Sequence, residues 1–84
     1  MSHVEQRFWE RYKIKVTMPL LFYIKKCIKS GKTLLDQVQL DYPNRSVHVL
    51  TLMGKTVPVV YDYKYDKIIT CLPTIRNLDW QKLK

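Results

Sequence analysis

Gly31 separates two hydrophobic periods, and that change limits the architectures open to the chain. Before it, Leu20, Leu21, Ile24, Cys27 and Ile28 recur at helical intervals, which gathers their side chains on one face of a helix. After it, Val38, Leu40 and Tyr42 alternate, and apolar residues crowd segments 46–53, 56–63 and 67–72, the pattern of strands. Short turn-forming stretches separate those segments: Pro43-Asn44, Gly54-Lys55 and the region from Asp62 to Lys67. Short connections favour sequential antiparallel neighbours. The expected fold is α+β, with two N-terminal helices packed on an antiparallel meander sheet of three to four strands.

The helix boundaries are written into the sequence. Residues 3–12 read as a short polar helix, with Phe8, Trp9 and Tyr12 as its docking surface. A second helix is predicted over residues 18–30, with Thr17 as N-cap, Pro19 in the first turn and Gly31 as a left-handed stop. Pro58 cannot donate to a sheet ladder, so its strand is expected at an edge or at a bulge. The 84 residues form a single small basic domain, in which 73–84 is a C-terminal tail that packs back through Leu78, Trp80 and Leu83 or is partly mobile.

Charge narrows the range of partners. Fifteen Lys and Arg face seven Asp and Glu, for a formal charge of +8 spread along the chain. Such a surface suits a polyanion or an acidic protein. No apolar run approaches the roughly 20 residues that cross a bilayer, and no membrane partner is expected. The polar N-terminus does not read as a signal peptide, and Cys27 and Cys71, each in an apolar periodic segment, read as buried thiols of a reducing, cytoplasmic setting. Neither cysteine has a second Cys or His at zinc-ligand spacing, and Asp62 and Asp66 flank a turn rather than pairing as metal ligands. With Gly31 and Gly54 the only glycines, a phosphate-binding glycine loop is excluded. No cofactor is expected.

The candidate chemistry begins at His3. His3, Arg7 and Arg11 follow one another at i, i+4 and i+8, one helical turn apart along a stripe. His3 is the best general acid or base, unless it is simply exposed or capping. Arg7 and Arg11 offer planar forks to a phosphate, or else pair with Glu5 and Glu10. Thr70, between Ile69 and Cys71 in the last strand, turns its hydroxyl to the face those neighbours leave. His48 is a second candidate base, projecting opposite Val47 and Val49. Lys25, Lys29, His48, Lys64 and Lys67 are candidate nucleic-acid contacts. Tyr61, Tyr63 and Tyr65 form a candidate aromatic row for stacking bases or covering a sheet.

The segment from His3 to Arg11 resembles the opening of a group of small bacterial and phage proteins with an H-x-x-x-R-x-x-x-R helix. Those proteins look like relatives of the RelE, barnase and colicin D/E5 class of metal-independent ribonucleases. The second helix ending at Gly31, the Val59-Val60-Tyr61-Asp62 strand and the Lys67-Ile68-Ile69-Thr70 strand match as well, so the resemblance spans roughly residues 3–72. It implies an acid–base role for His3, phosphate binding by Arg7 and Arg11, and a supporting hydroxyl from Thr70. It also implies a toxin-like endoribonuclease that cleaves tRNA or ribosome-bound mRNA by 2′-hydroxyl attack and is held in check by an acidic antitoxin or inhibitor. The chain departs from the group in its long 33–46 connection, in Pro58 and in its aromatic tail. Those departures leave room for a non-enzymatic basic module that binds nucleic acid or a host protein complex that handles it.

Overall fold

The computed structural model describes residues 2–38 and 43–73. Two helices, α1 (His3–Tyr12) and α2 (Met18–Lys29), precede four strands, β1 (Leu35–Val38), β2 (Arg45–Leu52), β3 (Lys55–Asp62) and β4 (Lys67–Cys71). The strands form one antiparallel sheet in the order β1-β2-β3-β4. This is the expected α+β arrangement, with four strands. The first strand lies within the 33–46 stretch that reads as a connection in the sequence; Leu40 and Tyr42, which extend its alternation, lie outside the described residues, as does the whole tail from Thr74 onward.

Each helix is fixed at both ends by local chemistry. Ser2 caps α1: its hydroxyl accepts from the Glu5 amide at 3.3 Å, and the Glu5 carboxylate accepts from the Ser2 amide at 3.1 Å. That reciprocal box satisfies donors the first turn leaves open, and the Ser2 bonds hold the Glu5 carboxyl below its ordinary range. Lys13, in the left-handed region at φ 55°, ends the helix, and the Ile14 amide closes back on the Phe8 carbonyl at 3.3 Å. Thr17 accepts from the Leu20 amide at 3.2 Å at the start of α2. Gly31, at φ 75°, turns the chain out of the helix, and the Lys32 amide bonds the Cys27 carbonyl, a glycine stop as expected.

Both helices bury their apolar stripes on one face of the sheet. Phe8, Ile14, Ile24 and Cys27 meet Leu50, Leu52, Val57, Val59, Tyr61, Ile68 and Cys71 in one cluster, edged by Val4, Tyr12, Leu20, Leu21 and Ile28. The docking stripe of α1 is therefore Val4, Phe8 and Tyr12. Trp9, expected beside them, is 47% exposed with the Lys13 ammonium 5.4 Å from its ring. Adjacent helical residues point about 100° apart, so Trp9 cannot share the face of Phe8. On the reverse side of the sheet Val47, Val49, Pro58 and Val60 are also buried, outside the helix-side cluster.

Pro58 departs from the sequence-based expectation. β3 is an interior strand, and the irregularity in its pairing falls between Val60 and Tyr61 rather than at the proline. The register explains how it is tolerated. Pro58 faces Val49, whose carbonyl accepts from Leu34 on the other side, so this pair exchanges no ladder bonds. The polar side of Pro58 looks toward β4 just beyond the Cys71 pairing, where its carbonyl accepts from the Leu72 amide at 2.9 Å. The missing amide thus falls where the ladder ends.

Candidate functional site

α1 packs on β4, and this contact sets most of the stripe beside the last strand. Because the Leu72 amide points to β3, the preceding Cys71 carbonyl points to the open edge of the sheet. The Arg11 guanidinium donates to that carbonyl, and the Thr70 hydroxyl donates to the same oxygen at 3.3 Å. One turn earlier, Arg7 pairs with Glu10 at 3.0 Å. The carboxyl of Glu10 is held down by the Gln6 amide first, with burial opposing it and the Arg7 hydrogen bond reinforcing it. Tyr12 completes the dock, its hydroxyl donating to the Leu72 carbonyl at 2.5 Å. Burial pushes the Tyr12 hydroxyl up, and burial likewise raises the Cys71 thiol to about 11, against the opposing charge of Arg11. The thiol is therefore a neutral core group, and both cysteines are free and buried.

His3 lies at the exposed N-terminal end of the stripe, on a helix end held by the Ser2–Glu5 box. The fold thus brings Arg11 and Thr70 to one carbonyl, keeps Arg7 one turn away on the same helix, and leaves His3 a further turn out. Thr70 pairs with Val60 while Cys71 faces the helices, so its side chain belongs to the reverse face, as its alternation with Cys71 suggests.

A second feature is a groove of about 450 Å³ beside α2, lined by Phe22, Lys25, Lys26, Lys29, Ser30 and Asp66. Asp66 bridges Lys29 at 3.1 Å and Lys25 at 3.9 Å and accepts from the Tyr61 hydroxyl at 2.6 Å. The Tyr61 bond and then the Lys29 bond hold its carboxyl below the ordinary range. On the other partner, burial first and Asp66 next push Tyr61 up to about 12. The three tyrosines do not form a row: Tyr61 is in the core, whereas Tyr63 and Tyr65 stand exposed in the β3–β4 turn. Asp62 acts as the expected turn former, accepting from the Lys64 and Tyr65 amides. Lys64 lies over the Tyr65 ring in that turn, and Lys67 is exposed at the start of β4.

The third constellation is at the opposite edge of the sheet, on β1 and β2, with Ser46 and His48 on the face that carries Leu50 and Leu52. His48 Nε2 lies 2.7 Å from Ser46 Oγ, and His48 Nδ1 lies 2.6 Å from Asp36 Oδ1. Thr33 donates to the same carboxylate at 2.6 Å, and Tyr61 meets the imidazole edge to face at 6.0 Å. Burial pushes the Asp36 carboxyl up, but the Thr33 and His48 hydrogen bonds outweigh it and hold the group below its ordinary value. Sequence reading finds His48 but not its neighbours. Ser46 follows from the two-residue spacing that places both side chains on one strand face; Asp36 follows only from the register, which pairs it with His48.

Among the described residues, no group of three or more His, Cys, Asp and Glu side chains is placed to hold a metal ion. No helix there is long and apolar enough to cross a membrane. Comparison with protein-family models, with curated proteins and with solved structures finds no match.

Proposed function

We propose that the chain is a metal-independent endoribonuclease whose reacting surface is the outer side of α1 where it meets β4. The observation that carries this reading is the convergence of Arg11 and Thr70 on the Cys71 carbonyl. It ties a cationic helical stripe to a hydroxyl-bearing strand. Arg11 uses part of its donor set on the carbonyl, and a guanidinium has five N–H donors in a fixed fork, so others face outward for a phosphate. Arg7, oriented by Glu10, supplies a second fork.

On this reading His3 accepts the proton of an RNA 2′-hydroxyl. The 2′-oxygen attacks phosphorus, the bond to the 5′-oxygen breaks, and that oxygen takes up a proton from water. The arginines stabilise the charge that builds on the phosphoryl oxygens, and the product ends in a 2′,3′-cyclic phosphate. DNA has no such nucleophile. The lysines along the α2 groove hold the backbone away from the reacting bond.

The groove also favours a second reading, binding without cleavage: Phe22 beside Lys25, Lys26 and Lys29 combines an apolar face with positive charge. One experiment separates the two. Purified protein is incubated with total bacterial RNA in EDTA, in parallel with His3→Ala, and new ends are mapped. Discrete cyclic-phosphate ends that disappear in the variant support the nuclease; intact RNA retained by both proteins on a filter supports the binding module.

A further inference from the structure

His48 and the two groups on its ring nitrogens have the connectivity of an activated nucleophile, on elements apart from the proposed ribonuclease surface. A nucleophilic serine needs a base within hydrogen-bond reach, and the base needs a third group that orients it. Ser46 Oγ at 2.7 Å and Asp36 Oδ1 at 2.6 Å occupy the two ring nitrogens of His48 in that order.

The tautomer follows from the chemistry of the partners. An ionised carboxylate only accepts, so the nitrogen facing Asp36 carries the proton. In the neutral ring Nε2 is then an acceptor, and the Ser46 hydroxyl must donate to it. A histidine recruited only to satisfy a buried serine has no need of a carboxylate on its far nitrogen. Here that carboxylate is itself fixed by Thr33, and the ring is held from the side by Tyr61.

We propose that Ser46, His48 and Asp36 form a nucleophilic relay that takes a small acyl group from an activated ester. The Ser46 oxygen bonds to the ester carbonyl carbon as its proton passes to His48 Nε2. The bond from that carbon to the alcohol oxygen then breaks, and the imidazolium returns the proton to the departing alcohol. Water, deprotonated by the same imidazole, releases the acyl group as a carboxylate and restores the serine. Ser46 is only 5% exposed and the His48 side chain 13%, whereas the Asp36 side chain is 55% exposed at the sheet edge. The hydroxyl is thus shielded from bulk water, and the exposed carboxylate marks the side from which an ester would have to approach.

The test treats the full chain with a small alkyl fluorophosphonate and with p-nitrophenyl acetate, and maps adducts by peptide mass spectrometry. One equivalent of label on Ser46, with a matching burst of p-nitrophenol, is the expected result. General-base assistance is worth about 100-fold or more, so His48→Gln should slow Ser46 labelling by at least about that factor while keeping native circular dichroism. Should His48→Gln not fold, Asp36→Asn carries the same comparison, because its side chain is mostly exposed and its shape is kept. Absence of label on wild-type Ser46 overturns the proposal. So does equal labelling of Ser46 in a folded His48→Gln or Asp36→Asn protein.

Discussion

Phe8 and Trp9 are neighbours in sequence with opposite roles, and substituting each by alanine tests how α1 is held. Phe8 is fully buried in the helix-side cluster. Removing a buried phenyl ring costs about 3–5 kcal/mol, the lost transfer energy plus the cavity. A chain of 84 residues at about 0.05–0.15 kcal/mol per residue has a total stability of about 4–13 kcal/mol. Phe8→Ala therefore removes a large share of the stability or all of it. Trp9 is 47% exposed, and its main described partner is the Lys13 ammonium, a contact worth about 0.5–1 kcal/mol at an exposed site. Trp9→Ala should cost about 1 kcal/mol. The gap of at least about 2 kcal/mol, at a urea slope of about 1 kcal/mol/M, separates the two midpoints by about 2 M. Urea titration followed by far-ultraviolet circular dichroism reads this without depending on tryptophan. Equal midpoints, or a lower midpoint for Trp9→Ala, would refute the docking stripe of Val4, Phe8 and Tyr12.

Tyr12→Phe removes the hydroxyl that donates to the Leu72 carbonyl and should lower stability by about 1 kcal/mol in the same titration; no change would mean that this bond does not fasten α1 to the end of β4. Asp36 has a folded pKa below its ordinary 3.8, so its contribution is present above that value and lost as pH falls through the lower folded one. Between pH 5 and pH 2, thermal melts of the wild type should therefore lose more stability than those of Asp36→Asn, and parallel losses would contradict the Thr33–Asp36–His48 contacts.

The helices and most strand boundaries were legible because each rests on local chemistry. Thr17, Pro19 and Gly31 act where they stand, whatever the rest of the chain does. Sequence and structure diverge where a neighbour decides. Pro58 could be placed in an interior strand only once its pairing with Val49 and the end of β4 were known. Trp9 reads as a docking residue because three aromatics lie close in sequence, but their angular positions separate it from Phe8. Lys13 and Met53 adopt left-handed backbone without being glycine, so no residue type marks those turns.

The site was legible in the same uneven way. The stripe His3, Arg7 and Arg11 is a matter of helical spacing and needs no tertiary information. Its attachment to Thr70 through the Cys71 carbonyl depends on how α1 lies on β4, which no spacing encodes. His48 stands out by residue type alone. Ser46 and Asp36 do not, since serine is common near turns and the aspartate sits twelve residues away. Only the β1–β2 register gives that pair its meaning.

The most direct test of the reacting surface lies in the substrate's own nucleophile. An oligoribonucleotide spanning a site mapped in total RNA is compared, in EDTA, with a twin carrying a single 2′-deoxy sugar at the cleaved position. The first should be cut to a 2′,3′-cyclic phosphate while the twin stays intact. Cleavage of both, or of neither, would rule out 2′-hydroxyl attack at this surface.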